Sequence, residues 1–529
     1  MILRFDAIDS GSVLQSDLCI IGAGAAGITL AREFAGTSID VIVVESGQLQ
    51  VDDRFEELNE GEVAGAPFTG LRAGRRRGLG GTTAAWGGQC CELDESDFSA
   101  RPWIAHSGWP FDRRELEPYY RRAEHVFGVN SEHYDETIWR RWRIEPVSYN
   151  PSLLRNSFSV FSPRPRIGKV YRRLIASARN IRIILGATAT KIQTSPNASK
   201  VIGLEIRDFD GRQAVIAVRT FVLCTGTIET ARLMLASRDA EAHGVGNSRG
   251  LVGRYFQDHP TSYTATVVPS DRRKLQDVYG LLFRGRTWYW PKIGLAPDLQ
   301  RNAGVLNGAA SAMFSYDSSA LTVLRDMVRT TRTGGRFKPS RSDVSALLRG
   351  AGPVLDAGVR RYVLGRSPRS RPSRIDLMCT IEQAPNPDSR VTLSESRDSL
   401  GMQTVLLDWK ITDIERETFR VLTNTIRSEF QRLGLGNVIA EPWLSSDEGS
   451  DWQLWDNFHQ LGSTRMSADP SSGVVDVNCR VHGLEGLYVA GGPTFPAGGY
   501  VNPVLTITAL TIRLADHLKE RFRERRPFN

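Results

Sequence analysis

Residues 17–36 read DLCIIGAGAAGITLAREFAG, and DVIVVES follows at 40–46. The apolar run at 18–21 predicts a buried strand, and the spacing of ITLAREFA predicts a helix. The turn between them carries the three glycines of a GxGxxG pattern, Gly22, Gly24 and Gly27. Glu45 closes the second predicted strand. This order of strand, glycines, helix, strand and acid is typical of a dinucleotide-binding βαβ unit.

Each position in this unit has a physical role. Gly22 permits the tight turn, Gly24 lets the backbone approach a pyrophosphate, and Gly27 lets helix and strand pack closely. Ala26 lies in the same turn, and Glu45 is placed to bond a ribose hydroxyl. A glycine pattern alone is weak evidence, but the complete context favours a bound dinucleotide over a turn without ligand. It does not choose between NAD and FAD.

A second glycine-rich loop, GRRRGLGGTTAAWGGQCC, occupies residues 74–91. A flexible linker would be polar and aperiodic, whereas this loop holds Trp86 among its glycines. Such a loop indicates a backbone shaped to lie against a flat ligand.

The middle of the chain first repeats the opening pattern and then changes. VRTFVLCTGTIETARLML at 218–235 predicts a strand, a turn at Thr225 and Gly226, and a helix. From about residue 255, runs such as TSYTATVV, SRVTLSE and QTVLLDWKI alternate as half-exposed strands do. A helix with a capping box at Thr412 and Glu415 follows them. These elements predict an antiparallel sheet unlike the first domain.

The end of the chain returns to the first pattern. A strand ends at Gly491 and Gly492, and a helix follows with Asn502 as its N-cap and Pro503 at its first position. We therefore predict an α/β domain of Rossmann type interleaved with an α+β domain built on an antiparallel sheet. The expected parts are residues 1–255, 256–454 and 455–529.

Length, cysteine content and hydropathy set limits on the protein class. A chain of 529 residues exceeds the size at which single cores stop growing, which favours two domains. Its six cysteines are scattered and show no CxxC spacing, so metal and iron–sulfur sites have no support. The sequence shows neither a membrane-spanning apolar run nor an export signal, and we expect a cytoplasmic protein.

The net charge of +8 is concentrated in one insertion. Residues 325–374 hold thirteen Arg and Lys against three Asp, a balance of +10 that leaves −2 for the rest of the chain. A basic patch confined to one insertion is not a nucleic-acid footprint, and we expect no nucleic-acid partner. Three interpretations stay open: a solvated surface, a docking site for an anionic membrane or an acidic protein, and a mobile lid. The glycines of the segment favour the lid.

Several motifs in one order resemble the GMC (glucose–methanol–choline) oxidoreductases. They are GAGAAG with Glu45, GLGGTTAAWGG at 78–88, SGWPFDRRELEPYY at 107–120, EQAPNPDSRVTLS at 382–394 and the block that begins at His459. The resemblance covers most of the chain and is weakest at about 270–375. It implies an FAD enzyme in which an FAD-binding domain is interleaved with a substrate domain.

The resemblance also implies the residues that would bind FAD. They are Gly22, Gly24, Ala26, Gly27, Glu45, Gly80, Gly81, Thr82, Thr83, Trp86, Gly87, Gly88, Ala189, Thr225, Gly226, Gly491, Gly492, Asn502, Pro503 and Thr506. Some pyranose oxidases of this family hold FAD covalently through a histidine just before the tryptophan of the second loop. That position is Ala85 here, so we expect FAD that is not covalently bound.

Within the family the chain is most similar to the sugar-oxidising branch, which includes pyranose oxidases, C-glycoside 3-oxidases and glucoside 3-dehydrogenases. Those enzymes have a histidine and then an Asn–Pro, which correspond to His459 and Asn502. The resemblance implies that His459 is the catalytic base and Asn502 its partner. A histidine has a pKa suited to take a hydroxyl proton near neutrality, while the flavin N5 takes the hydride.

The alternative for an isolated histidine is a place in the core, and the alternative for Asn502 is its capping role, which it can combine with catalysis. His259, in DHP, is expected to pack at the domain junction. The predicted reaction is oxidation of a ring secondary hydroxyl of a sugar or glycoside to a 3- or 2-keto sugar. A non-sugar or natural-product alcohol, a flavoprotein lyase and a non-catalytic binding protein are the alternatives. Oxygen, a quinone or a redox protein would accept the electrons.

Overall fold

The computed structural model describes residues 1–129, 134–316, 336–349, 351–445 and 453–524, and six further residues between 320 and 330. Part of the basic segment 325–374, including residues 331–335, therefore lies outside the described residues.

A mostly parallel sheet of eight strands carries the glycine fingerprint. Its strands lie in the order Ile2–Arg4, Ile181–Leu185, Val41–Glu45, Val13–Ile21, Gln213–Leu223, Val201–Arg207 and Thr188–Thr194, and Leu487–Val489 also pairs with Gln213–Leu223. Only the pairs made by Val201–Arg207 are antiparallel. The carboxyl ends of neighbouring parallel strands meet at one edge, where ligands bind in open sheets of this kind.

The helices Ala25–Phe34, Ile167–Ser177 and Thr227–Ala236 pack on this sheet, and Val504–Glu524 packs on Ala25–Phe34 and Arg113–Phe127. The strand residues from Leu18 to Ile21 are at most 2% exposed. A strand buried on both faces reads as a continuous apolar run, which explains why DLCII shows no alternation. The predicted α/β part of the fold is confirmed.

A second sheet of eight strands is antiparallel throughout. Its strands lie in the order Gly436–Ala440, Thr261–Pro269, Arg374–Ile381, Gly308–Ser315, Thr287–Leu295, Leu154–Phe161 and Gln89–Cys90, with Leu282–Arg284 paired to Thr287–Leu295. Two of these strands, Gln89–Cys90 and Leu154–Phe161, come from the range 1–255 that we expected for the FAD-binding domain. The second sheet thus draws on both parts of the chain, and the three domain ranges stay a prediction.

A third, smaller sheet corrects one prediction. Arg390–Arg397 and Gln403–Trp409 pair with each other, but they do not join Thr261–Pro269 as their alternating pattern suggested. Their third partner is Gly61–Gly65, which runs parallel to Gln403–Trp409. The pairing joins segments more than 300 residues apart, so local alternation could not reveal it.

The helix Asp413–Arg432 covers the antiparallel sheet and has the predicted capping box of Thr412 and Glu415. Shorter helices lie at Asp53–Glu56, Glu95–Phe98, Arg272–Tyr279, Pro297–Ala303, Arg341–Arg349 and Ala351–Tyr362. Within the described residues, no helix is long and apolar enough to cross a membrane.

Candidate active site

A cavity of about 660 Å³ opens at the carboxyl edge of the parallel sheet. Its walls come from the fingerprint turn, the second glycine loop and the C-terminal block. The predicted site residues that line it are Gly22, Gly24, Ala26, Glu45, Gly81, Thr82, Thr83, Trp86, Gly87, Ala189, Thr225, Gly226, His459, Gly491, Gly492, Asn502 and Pro503. Segments from the whole length of the chain therefore meet around one space.

The three fingerprint glycines differ in what surrounds them. A Cβ on Gly22 would stand 2.6 Å from the Cys224 carbonyl oxygen, and a Cβ on Gly27 would stand 1.9 Å from that of Gly22. A Cβ on Gly24 would meet no atom of the described residues within 4 Å. Gly22 and Gly27 are required by protein packing, whereas Gly24 faces open cavity at the start of the helix Ala25–Phe34. A helix N-terminus next to open space fits the pyrophosphate of FAD.

The second glycine loop lies directly on the fingerprint turn. The Gly80 amide donates to the Ala23 carbonyl at 2.8 Å, and a Cβ on Gly81 would stand 2.8 Å from the Gly24 Cα. The Gly78 amide donates to Glu45 Oε1 at 2.8 Å. Glu45 lines the cavity and also holds the second glycine loop in place, because its carboxylate, at the end of the strand Val41–Glu45, accepts the Gly78 amide. The residues present fit FAD, because a helix N-terminus at Gly24 faces the open cavity and the second glycine loop packs beside it.

Four predicted FAD residues do not line the cavity. Gly27 and Gly80 pack behind its wall, against Gly22 and Gly168. Gly88 faces Pro165 and Ser162, and Thr506 bonds the Tyr120 hydroxyl at 2.9 Å. These four residues lie behind the cavity wall and support the residues that form it.

A buried cluster of charges also lines the cavity, and the sequence analysis gave it no role. Glu229 lies 2.9 Å from Arg77, 3.1 Å from Arg75 and 3.4 Å from Arg232. Burial alone would raise the pKa of Glu229, but the three arginines outweigh it and hold the pKa well below its usual value. The cluster ties the second glycine loop to the helix Thr227–Ala236. The run RRR at 75–77 was the available signal.

His459 and Asn502 meet at this cavity. Asn502 Nδ2 lies 2.7 Å from His459 Nε2. The C-terminal helix begins at Val504, and the Ile507 amide donates to the Pro503 carbonyl. The helix thus starts one residue later than predicted, and the side chain of Asn502 contacts His459 rather than capping the backbone.

His259 contacts His459 directly, which the sequence analysis did not anticipate. The two Nδ1 atoms lie 2.9 Å apart, and the rings meet nearly edge-on at 70°. The two residues are 200 positions apart in sequence. The DHP motif was visible, but nothing local connected it to His459, so we placed His259 at a domain junction.

The surroundings assign the proton positions of this pair. Asn502 Nδ2–H donates to His459 Nε2, so the lone pair of Nε2 accepts this hydrogen bond and Nδ1 carries the ring hydrogen. His259 Nδ1 must then accept, and His259 Nε2 carries the second hydrogen. That atom and Gln257 Oε1 both flank Gly498, and the Gln257 amide nitrogen points away toward the Tyr255 and Pro496 carbonyls. These assignments leave His459 Nε2 without a hydrogen, the state in which it can act as a base.

Asp258 holds the two histidine segments together. Its Oδ1 accepts backbone amides of His259 at 2.6 Å, His459 at 3.0 Å and Asn457 at 3.2 Å. Phe458 lies between Asn457 and His459, whose amides both donate to Asp258, and its backbone φ is 60°, a region that residues other than glycine seldom adopt. Phe458 lines the cavity and is 44% exposed. Strain of this kind collects at functional sites.

Burial and a nearby cation keep both histidines neutral. Burial lowers the pKa of His259 to about 3, and Lys292 acts in the same direction. Burial, with His259 and Lys292, also lowers the pKa of His459 well below 6.5. Lys292 is 6% exposed, lies 5.5 Å from the Tyr500 ring centroid and forms no ion pair with any described carboxylate. His459 is therefore in the neutral form that can accept a proton, while burial and Lys292 both lower its basicity.

Comparison with known proteins finds matching family models. Two family models, both described as GMC oxidoreductase, match residues 171–261 and 385–511. The first covers the second βα unit of the parallel sheet, and the second covers His459 and Asn502.

Curated relatives resemble the chain over nearly its full length. The fructose dehydrogenase large subunit of Gluconobacter japonicus is 24% identical over 96% of this chain and 98% of its own. The paromamine 6'-oxidase of Streptomyces fradiae is 25% identical over 94% and 90%. An oxygen-dependent choline dehydrogenase of Chromohalobacter salexigens is 25% identical over 97% and 96%.

Solved structures share the fold. A formate oxidase aligns with a TM-score of 0.57 at 16% identity, covering 98% of this chain and all of its own. A pyridoxine 4-oxidase from Mesorbium loti aligns with a TM-score of 0.56 at 16% identity, covering 96% and 99%.

Proposed function

We propose, because the chain belongs to the GMC oxidoreductase family, that it oxidises a ring secondary hydroxyl of a sugar or glycoside to a ketone. The chain is an FAD-dependent oxidoreductase acting on CH–OH donors. The observation that carries the proposal is the contact of 2.7 Å between His459 Nε2 and Asn502 Nδ2 at the cavity. When bound, FAD supplies the acceptor for the hydride that leaves the alcohol carbon.

In this proposal the substrate hydroxyl takes the place of the hydrogen bond between Asn502 and His459, so that His459 Nε2 takes the hydroxyl proton and Asn502 donates to the alcohol oxygen instead. An amide cannot compete for the proton, so the two side chains have separate tasks. As the alcohol carbon loses hydride and its oxygen loses a proton, the oxygen becomes a carbonyl. Proton transfer by a positioned histidine contributes typically 10²–10⁴-fold.

Residues behind the pair hold it in position. His459 Nδ1–H points to His259 Nδ1, which accepts it both before and after proton transfer. The Asp258 carboxylate fixes the backbones of both histidines. Lys292 lowers the pKa of His459, which keeps the imidazole neutral before the alcohol binds.

The alcohol substrate is inferred from the relatives. The names of the fructose dehydrogenase and the paromamine oxidase point to sugars. A non-sugar alcohol is the second candidate, because a choline dehydrogenase matches at a similar identity and coverage. We infer 3- or 2-keto products from the resemblance of His459 and Asn502 to the sugar-oxidising branch.

We also propose that FAD is bound without a covalent link. Ala85 lines the cavity next to Trp86 and offers no nucleophile. Acid precipitation of the purified protein should then release yellow cofactor into the supernatant. Colour that stays in the pellet would overturn this part of the proposal.

The substrate proposal is tested by anaerobic mixing of the protein with a panel of alcohols. Methyl glycosides, free hexoses and choline are added in turn, and the loss of flavin absorbance is followed. Bleaching by a glycoside, with a ring ketone found in the product, is the expected result. Bleaching by choline alone would establish the second candidate, and product formed without bleaching would contradict an oxidation.

A further inference from the structure

The helix Ala351–Tyr362 exposes an apolar stripe. Leu355, Val359, Tyr362 and Val363 are 69%, 52%, 84% and 75% exposed. Their spacing of four, three and one residues places them on one side of the helix and its final turn. Soluble proteins seldom collect so many exposed large apolar side chains in one place without a function.

The opposite side of the same helix is anchored to the body of the protein. Arg360 is 4% exposed, and its guanidinium lies 2.5 Å from Asp277. Arg361 lies 3.8 Å from the centre of the Phe283 ring, and the Phe283 amide donates to the Gly365 carbonyl. The stripe therefore points outward because the inner face is fixed, not because the helix is loosely placed.

Exposed basic side chains lie near the helix. Arg284 and Arg286 follow Phe283, the ring that Arg361 of the helix contacts, and Arg369 lies beside the helix, where its amide donates to Asp356. Asp277 of the neighbouring helix is shared by Arg360, Arg366 and Arg369, and Asp356 of the helix itself accepts from the Arg369 amide, so two acids face several arginines here. The surface around the stripe thus keeps a positive charge.

We propose that this face docks on the surface of an anionic membrane. An apolar stripe with arginines beside it fits the boundary between acyl chains and phosphate headgroups. A second copy of the chain is a poorer occupant, because a symmetric contact would place the two basic rims against each other. The proposal goes beyond alcohol oxidation and does not depend on the substrate.

The test is sedimentation of the full-length protein with vesicles of phosphatidylcholine, with and without phosphatidylglycerol. We expect binding only to the anionic vesicles, and weaker binding as salt is raised. Leu355→Ser with Val363→Ser should weaken binding at least about tenfold, because both side chains would insert. The matched control is Val13→Ser with Val51→Ser, whose side chains are 60% and 58% exposed far from the stripe in sequence.

Four results would overturn the proposal. They are no binding to anionic vesicles, equal binding to neutral vesicles, equal loss in the control variant, and a dimer in light scattering that the stripe variant dissociates. The last would assign the face to a second copy. Arg286→Gln gives an independent check, since it leaves the stripe intact and should still reduce binding to anionic vesicles. Alcohol oxidation in detergent-free buffer should be the same in all variants.

Discussion

Replacing His259 by phenylalanine tests how the catalytic histidine is held. Phenylalanine keeps a ring in the buried site but removes the acceptor that lies 2.9 Å from His459 Nδ1. When His459 takes a proton, that contact becomes a hydrogen bond to a charged group, worth about 1.5–3 kcal/mol. Its loss should slow alcohol-driven bleaching of the flavin by roughly 10- to 150-fold.

The measurement is anaerobic rapid mixing across a range of pH. Losing a hydrogen bond to the protonated ring lowers the pKa of His459 further, so the acidic limb of the rate profile should move to lower pH. FAD content should stay normal, because His259 does not line the cavity. His259→Gln is the matched control, since its amide oxygen can accept the Nδ1 hydrogen and should restore part of the rate.

A purely structural role for His259 would give a different result. The phenylalanine variant would then lose thermal stability while the bleaching rate and the acidic limb stayed as in the wild type. That outcome would refute the reasoning.

Two further changes test the cavity and its charge. Gly24→Ala should abolish FAD binding with little loss of apoprotein stability, because the added Cβ meets no described protein atom within 4 Å. Gly27→Ala should instead destabilise the fold, because its Cβ would stand 1.9 Å from the Gly22 carbonyl oxygen. Equal instability of the two apoproteins in thermal melts would contradict this. Burial lowers the pKa of Lys292 from 10.5 to about 8, so the charged lysine opposes folding below pH 8 and the penalty fades as pH rises toward 10. Lys292→Met should therefore raise the free energy of unfolding at pH 7 by about 3 kcal/mol, and the gain should disappear near pH 10. The acidic limb of the pH–rate profile should move to higher pH, because the pKa of His459 rises when the charge is removed. A gain in stability that does not depend on pH would show that packing, not charge, is responsible.

Much of the fold was predictable because its signals are local. The strand, turn and helix around Gly24 lie between residues 13 and 34, and the capping box of Thr412 marks its helix without reference to any other element. The sheet that joins Gly61–Gly65 to Gln403–Trp409 was missed for the opposite reason. Strand alternation shows which face is buried but not which distant strand lies alongside.

For the candidate site, too, local signals were predictive and long-range contacts were not. His459 and Asn502 were paired through family resemblance, not through spacing, and the structure brings them within hydrogen-bond distance. His259 was placed elsewhere because its contact to His459 depends on how two loops cross. The arginines at 75–77 were visible but uninterpreted, since their meaning depends on Glu229 from another helix.

The central claim is that His459 takes the proton of an alcohol bound beside FAD. The direct measurement is anaerobic single-turnover bleaching by a substrate glycoside, with His459→Ala compared with the wild type at equal FAD occupancy. We predict a rate lower by about 10²–10⁴-fold with the cofactor still bound, because the alcohol proton loses its positioned acceptor. Bleaching at close to the wild-type rate in the alanine variant would contradict the account.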